Sequence, residues 1–146
     1  METKIEFDLK RLIEKAADFH GHLGPFLVIG VRMGQLAKTN LKHKTEGNKV
    51  LKVTARIPLL TPFSCVLDGI QIITNCTVGN QKLEMKNSQK EIVAIFKLQN
   101  MNSTLTVSVK TKVVEELLKK ISQGISNEAL AWEIASMPEN QLFKIK

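Results

Sequence analysis

The sequence has no tyrosine, one tryptophan and two cysteines among 146 residues, and it contains no long apolar run. Without about 18 consecutive uncharged apolar residues, a membrane-spanning helix is not expected. Two cysteines that form no CxxC pair give no sign of a disulfide framework. The N-terminal stretch is charged and amphipathic and lacks the apolar core of a secretion signal. We therefore expect a cytoplasmic protein.

The scarcity of aromatic residues also limits what the positive charge of the chain can mean. The net charge is +7, which favours acidic partners such as nucleic acid. Proteins that bind single strands without sequence preference place aromatic rings beside a basic groove, and only 5% of this chain is aromatic. The densest basic stretch, residues 38–52, is interleaved with Thr, Asn and Gly as in a solvated loop. We expect no nucleic-acid partner and no membrane partner.

Hydrophobic periodicity predicts a single α+β domain over residues 1–146, with a mixed central sheet of about five strands flanked by helices. Asp8 is the expected N-cap of the first helix, and Ser126 that of the last. The third helix begins after a cap at either Thr61 or Ser64. Helices are predicted over 8–19, 25–38, 61–74 or 64–74, 113–123 and 126–136, and strands over 50–57, 81–85, 91–98, 104–110 and 141–145.

The helix that starts at Pro25 is apolar along most of its first half, which indicates a buried central helix. Gly30 and Gly34 lie one turn apart in it and would let another backbone come close. A sheet or a dimer partner is the expected neighbour of this glycine face.

The segment DFHGHLGPFLVIGVRMG, residues 18–34, places two histidines at the entrance to that helix. Gly21 ends the preceding helix, and His20 and His22 flank it. Side chains at i and i+2 of an extended segment point the same way, so both rings could face one divalent ion. By itself the pattern is more typical of surface or capping histidines. His43 lies in the basic stretch and is given no role.

Cys65 strengthens the case for a site. Under either predicted cap it lies in the first turn of the third helix, where the helix dipole is expected to lower the pKa of its thiol. Thiolate is the form that binds metal or attacks an electrophile. Asp68 shares the helical face of Cys65 and could orient an imidazole, although it could also be a polar residue on a wet helix face.

Two further features follow the same helix. Cys76 is either a fourth soft ligand or a bystander. The stretch Thr77–Asn80 could admit a ligand to exposed backbone N–H groups, but a simple turn is the better interpretation when the stretch is taken alone.

Three segments in order, FHGHLGPFLVIGVRMG, CVLDGIQ and NCTVGNQKLEM, resemble the FmdE family, which is associated with formylmethanofuran dehydrogenase, over about residues 10–130. The resemblance implies an α+β core, often dimeric, with metal near the positions of His20, His22 and Cys65 and with Cys76 close in the pattern. The zinc-finger domain that some members add at the C-terminus is not expected here. Many members have Cys at the position of Gly24, which leaves at most two sulfur ligands. Asn75 replaces a glycine and Asn80 a common lysine; Asn75 is expected to keep the left-handed bend.

The expected function is therefore that of a metal-binding accessory or regulatory protein linked to molybdenum formylmethanofuran dehydrogenase and one-carbon metabolism, as in methanogenesis. It would bind zinc, with nickel and iron left open, through His20, His22, Cys65 and, least securely, Cys76. The expected partners are a second copy of the chain and subunits of that dehydrogenase. The alternative is an enzyme that uses the same metal or the thiol of Cys65, with Asp68 assisting, on an unknown small molecule. A basic module for nucleic acid or an acidic protein is the third interpretation.

Overall fold

A computed structural model describes residues 4–41, 50–99 and 103–146, with side chains from residue 8 onward. It has an α+β architecture, as the sequence predicts. The helices are α1 (Lys4–His20), α2 (Pro25–Asn40), α3 (Cys65–Thr74), α4 (Thr111–Ser122), α5 (Asn127–Ser136) and α6 (Glu139–Leu142). The strands are β1 (Leu51–Ile57), β2 (Leu83–Asn87), β3 (Val93–Leu98), β4 (Thr104–Val109) and β5 (Phe143–Ile145).

The five strands form one mixed sheet in the order β2-β1-β3-β4-β5. The β1–β2 pair is parallel and is joined through α3, whereas the other three pairs are antiparallel. Parallel neighbours need a crossover, which explains why a helix separates β1 from β2 in the sequence. The pairing puts β1, β3 and β4 in the interior of the sheet.

Alternation along the strands divides the sheet into a buried face and an outer face. Alternate residues of β1, β3 and β4 are buried and form one apolar core with the helices. Phe96 and Ile57 are among its largest fully buried side chains on the strands, and Phe26 and Met33 are among those on α2. The helices thus cover one face of the sheet, and the other alternates between half-buried and exposed residues.

Helices α2 and α3 meet backbone to backbone through glycine. A Cβ placed on Gly30 would lie 2.1 Å from the carbonyl oxygen of Val66, and one on Gly69 would lie 2.4 Å from that of Leu27. Gly34 is also closely packed, since its Cβ would lie 2.8 Å from the Cβ of Ile73. The predicted close approach is confirmed, but the neighbour is a helix of the same chain rather than a sheet or a dimer partner.

Several predicted boundaries shift. Helix α1 starts at Lys4, so Asp8 lies inside the helix and the prediction of an N-cap there is wrong. The last predicted strand starts later, because α6 occupies residues 139–142. Ser126 is an N-cap as predicted, with its Oγ accepting a hydrogen bond from the Ala129 N–H at 3.1 Å. Most of the basic stretch 38–52, including His43, falls outside the described residues.

No helix among the described residues combines the length and the apolar character needed to cross a membrane.

Candidate metal centre

The end of α1 sets the positions of the two histidines. His20 is the last helical residue, and Gly21 then adopts a φ of +103°, which side-chain-bearing residues rarely tolerate. The Gly21 N–H donates to the Ala17 carbonyl oxygen at 2.8 Å and closes the helix. The chain turns sharply after the helix, and the rings of His20 and His22 lie 4.5 Å apart between centroids, tilted by 60°.

The start of α3 brings the thiol to the histidines. The helix begins at Cys65, so of the two predicted caps Ser64 holds the N-cap position, but its side chain makes no capping hydrogen bond. Cys65 is only 9% exposed, since it is enclosed where α3 packs against its neighbours. One ligand atom from each of His20, His22 and Cys65 lies within 4.8 Å of the other two. Within the described residues, these three form the group whose geometry could hold a metal ion.

The two nitrogens of His20 differ in a way that points to a ligand. Its Nδ1 lies 2.5 Å from Asp68 Oδ2, and a carboxylate can only accept, so Nδ1 carries the proton. In the neutral ring, the remaining nitrogen, Nε2, has a free lone pair. It is buried and has no hydrogen-bond partner among the residues that the structure describes. An unpaired buried acceptor costs free energy in a protein interior, and a bound cation would remove that cost.

Asp68 is itself held in place by a residue that sequence reasoning missed. Gln71 donates from Nε2 to Asp68 Oδ1 at 3.2 Å and accepts at Oε1 from the Val78 N–H at 3.1 Å. Gln71 stands three residues after Asp68, a spacing that puts both on one helical face. That spacing within CVLDGIQ was the available signal. Both oxygens of Asp68 are thus occupied, and the carboxylate is fixed towards His20.

The expected activation of the Cys65 thiol is wrong. Burial raises the pKa of Cys65, and the nearby negative charge of Asp68 raises it further, while a backbone hydrogen bond opposes them. The helix N-terminus is therefore outweighed by desolvation and by a like-charge effect. In the metal-free protein this thiol stays protonated at neutral pH, and a cation would have to displace its proton.

Cys76 lies apart from this group. It follows the C-terminal end of α3, whereas Cys65 is at the N-terminal end, about 15 Å away along a ten-residue helix. It is 2% exposed, and its thiol donates to the Leu51 carbonyl oxygen at 3.2 Å. Burial raises the pKa of Cys76 as well. The structure places this cysteine in the core beyond reach of the histidines, which corrects its prediction as a fourth ligand.

The Thr77–Asn80 stretch is a self-contained turn. The side-chain oxygen of Asn80 accepts from the Thr77 and Lys82 N–H groups, and its amide donates to the Asn75 carbonyl oxygen. Asn75 has the left-handed φ of 58° that its position was expected to need. Three of the four N–H groups of the stretch are bonded, those of Thr77 and Asn80 within it and that of Val78 to Gln71 Oε1, so the turn is the better interpretation in the structure as well.

One side of the candidate centre faces solvent. His22 is exposed and borders an open groove along α1 that is also lined by Arg11, Lys15 and Asp18. A Cβ on Gly24 would sit 3.8 Å from Cε1 of His22, an ordinary contact distance. The absence of a side chain at Gly24 therefore leaves space beside the His22 ring.

Comparison with known proteins relates the chain to a family and to a curated protein. Residues 19–144 match the family model described as "FmdE, Molybdenum formylmethanofuran dehydrogenase operon". A curated relative from Archaeoglobus fulgidus, named "Probable S-adenosyl-L-methionine-binding protein", is 28% identical over 130 residues. That alignment covers 88% of this chain and 35% of the relative, so the chain spans about a third of the relative's length.

Proposed function

Because the chain belongs to the FmdE family, we propose that it is a metal-binding accessory or regulatory protein of molybdenum formylmethanofuran dehydrogenase and one-carbon metabolism. It holds one zinc-like divalent ion through His20, His22 and Cys65. The observation that carries the proposal is the buried, unpartnered Nε2 of His20, beside a second imidazole and a thiol. Structural histidines in a dry core find a hydrogen-bond partner instead.

The donor set fits a borderline-soft ion. Two imidazoles and one thiolate are ligands that zinc commonly takes, and nickel and iron accept the same types. Asp68 acts as a positioning residue: by accepting a hydrogen bond from the Nδ1–H of His20, it fixes the tautomer and the ring orientation that leave Nε2 for the ion. Gln71 in turn fixes Asp68. A bound cation supplies the positive charge that lets the buried Cys65 exist as thiolate.

Equilibrium dialysis against Zn²⁺ under reducing conditions, followed by elemental analysis, tests the proposal. We expect about one ion per chain, with a strong loss for the double variant Cys65→Ser/His22→Ala. Cys76→Ala is the matched control, since it removes a buried thiol outside the group and should keep the ion. Absence of metal after full loading contradicts the proposal, as does an unchanged metal content in the double variant.

A second candidate function is an enzyme that uses the same centre. The observation that favours it is the count of three protein ligands among the described residues, because catalytic zinc sites keep one position for water or substrate. The exposed side of His22 gives an exogenous ligand a way in. Against a thiol nucleophile stands the raised pKa of Cys65.

Titrating the Co²⁺-loaded protein with azide separates the two functions. A shift in the Co²⁺ absorption bands shows an exchangeable position and favours the enzyme, whereas an unresponsive spectrum favours a closed accessory site. S-adenosylmethionine is the first biological molecule to add, because the curated relative carries its name and its amino and carboxylate groups are metal donors.

We also propose a cytoplasmic homodimer that works beside the dehydrogenase subunits. Large apolar side chains are exposed near both parts of the centre: Phe19 precedes His20, Leu60 lies in the turn before α3, and each is 58% exposed. A dimer contact would cover such surface. Light scattering on the purified protein, with Phe19→Ser and Leu60→Ser compared with the unchanged chain, tests this part separately.

A further inference from the structure

The outer face of the sheet carries most of the excess positive charge of the protein. Within the strands of this face, the one acid is Glu84 and the exposed cations are Lys52, Arg56, Lys86, Lys97 and Lys144. The face thus accounts for a charge of +4 out of the +7 of the whole chain. These residues are dispersed in the sequence, and the strand pairing collects them.

Strand register arranges the face in three rows across the strands. Lys52 is directly opposite Lys97 in the first row, and Arg56 is directly opposite Lys86 in the third. The row between them contains no cation within β1, β3 and β4. In these three strands it consists of Thr54, Ile95 and Thr106, in direct register and half-buried. Glu84 of β2 lies beside Thr54 at one end of the row, and Lys146 pairs with Thr106 at the other.

Within the described part of the chain, the Lys52–Lys97 pair has no ion-pair partner on this face, whereas Lys86 of the other pair is partly compensated by an acid. Cations directly opposite each other weaken a sheet. The ion pair found on this face joins Lys86 to Glu84 at 4.0 Å and leaves the Lys52–Lys97 opposition as it is. Such rows of cations add nothing to the stability of the fold, whereas an acidic surface laid over the face would be attracted by both basic rows.

We propose that this face docks an acidic amphipathic helix of a partner protein, lying along the Thr54–Ile95–Thr106 row. The two basic rows are four residues apart along β1, about 13 Å, so they flank a strip that accommodates a helix of about 10 Å diameter. Apolar side chains of the helix contact Ile95 and the threonine methyl groups. Its Asp and Glu side chains reach the cations on either side. This is the apolar centre and charged rim of a protein interface.

The chemistry of the face argues against other occupants. Its strands present Lys, Arg, Glu, Thr, Ser, Val and Ile and no aromatic side chain, so unpaired bases have no ring to stack on. A second copy of the same face would bring two basic surfaces together and be repelled. The basic face is independent of the metal centre, which lies among the helices on the buried side.

Fluorescence anisotropy with a labelled peptide tests the inference. The probe is a helical peptide with leucines along one face, flanked by glutamates, and the comparison is a scrambled peptide of identical composition. We expect the ordered peptide to bind about tenfold more tightly than the scrambled one, because only it aligns apolar and acidic groups with the rows. Equal binding of the two peptides overturns the inference.

Matched charge variants locate the binding. Lys52→Glu/Lys97→Glu is expected to weaken peptide binding by at least about tenfold, and Lys10→Glu/Lys112→Glu, with the same change in net charge on α1 and α4, by less than about threefold. Equal losses in both double variants overturn the inference.

A third variant separates docking from simple charge attraction. Ile95→Lys adds a cation but removes the apolar centre, so we expect weaker peptide binding, while stronger binding contradicts the inference. If circular dichroism shows that Ile95→Lys does not fold, Ile95→Thr takes its place. It keeps a β-branched residue and should also weaken peptide binding. Tighter binding of a DNA oligonucleotide, or of vesicles made from equal parts of phosphatidylserine and phosphatidylcholine, would replace the protein partner and overturn the inference.

Discussion

His20 and Asp68, 48 residues apart in the sequence, are joined by a hydrogen bond of 2.5 Å between Nδ1 and Oδ2. The bond ties the end of α1 to the first turn of α3 and decides which imidazole nitrogen is free. The proposed metal centre depends on this tautomer, because the free nitrogen is the buried one.

Asp68→Ala is expected to lower the affinity for Zn²⁺ by about 10–100-fold, the usual effect of removing a carboxylate that orients a metal-bound histidine. Asp68→Asn still offers an oxygen to Nδ1, so its affinity for Zn²⁺ should lie between those of Asp68→Ala and the unchanged protein. Competition with a chromogenic chelator gives the affinities. Glu84→Gln removes a carboxylate from the far side of the sheet and serves as the control. Unchanged affinity in Asp68→Ala contradicts the positioning role.

Gly69→Ala is expected to destabilise the protein by about 3 kcal/mol, because its Cβ would lie within 3 Å of three backbone atoms of α2. Those atoms cannot yield as a flexible side chain would. Gly79→Ala is the matched control: its Cβ would meet only Thr77 Oγ1, at 3.8 Å. Urea unfolding measures the free energy of unfolding of both variants. Similar losses in Gly69→Ala and Gly79→Ala would show that α2 and α3 are not in such close contact.

The metal-free protein is expected to lose stability in alkali through its buried thiols. Below the ordinary thiol pKa of about 8.5, Cys76 is protonated in both the folded and the unfolded chain. As pH rises further, the unfolded chain releases that proton while burial holds it in the folded one, because the folded-state pKa is raised. The free energy of unfolding therefore falls as pH climbs towards the raised pKa.

Cys76→Ala removes this contribution, so its urea midpoint should decline less between about pH 8 and about pH 10 than that of the unchanged protein. Parallel declines would mean that the thiol has an ordinary pKa in the folded state. A chelator is included in both series, which keeps metal binding at Cys65 out of the comparison.

Lys97→Glu is expected to stabilise the sheet by up to about 1 kcal/mol, because it turns the direct Lys52–Lys97 opposition into an attractive pair. Lys52→Glu should act in the same direction. The double variant Lys52→Glu/Lys97→Glu places two acids opposite each other and should lose the stability gained by each single variant. The double-mutant cycle therefore contains its own control. Thermal unfolding at low salt measures the four proteins, and additive gains would show that the two side chains do not interact.

The architecture was predictable from the sequence because its signals are local. Alternation in β1, β3 and β4 and the Ser126 cap each act within a few residues, and the corresponding elements are present. Boundaries were less well determined: nothing near Asp8 showed that α1 begins at Lys4. The neighbour of Gly30 could not be predicted, since glycine permits close approach without specifying what approaches.

The site was predicted in its grouping of residues but not in its electrostatics. His20, His22 and Cys65 are brought together as the spacing and the family resemblance implied. The direction of the Cys65 pKa shift depends on burial and on Asp68, which are properties of the folded chain. The separation of Cys76 from the group follows from its packing against Leu51, a contact between residues 25 apart. The basic face was hidden because its lysines become neighbours only through strand pairing.

Native mass spectrometry of zinc-loaded protein tests most directly whether His20, His22 and Cys65 hold a metal ion. We predict a mass shift of about one zinc ion per chain. That shift should persist in Cys76→Ala and disappear in Cys65→Ser/His22→Ala. A chain that stays metal-free after loading under reducing conditions, or a double variant that still carries the ion, would contradict the claim.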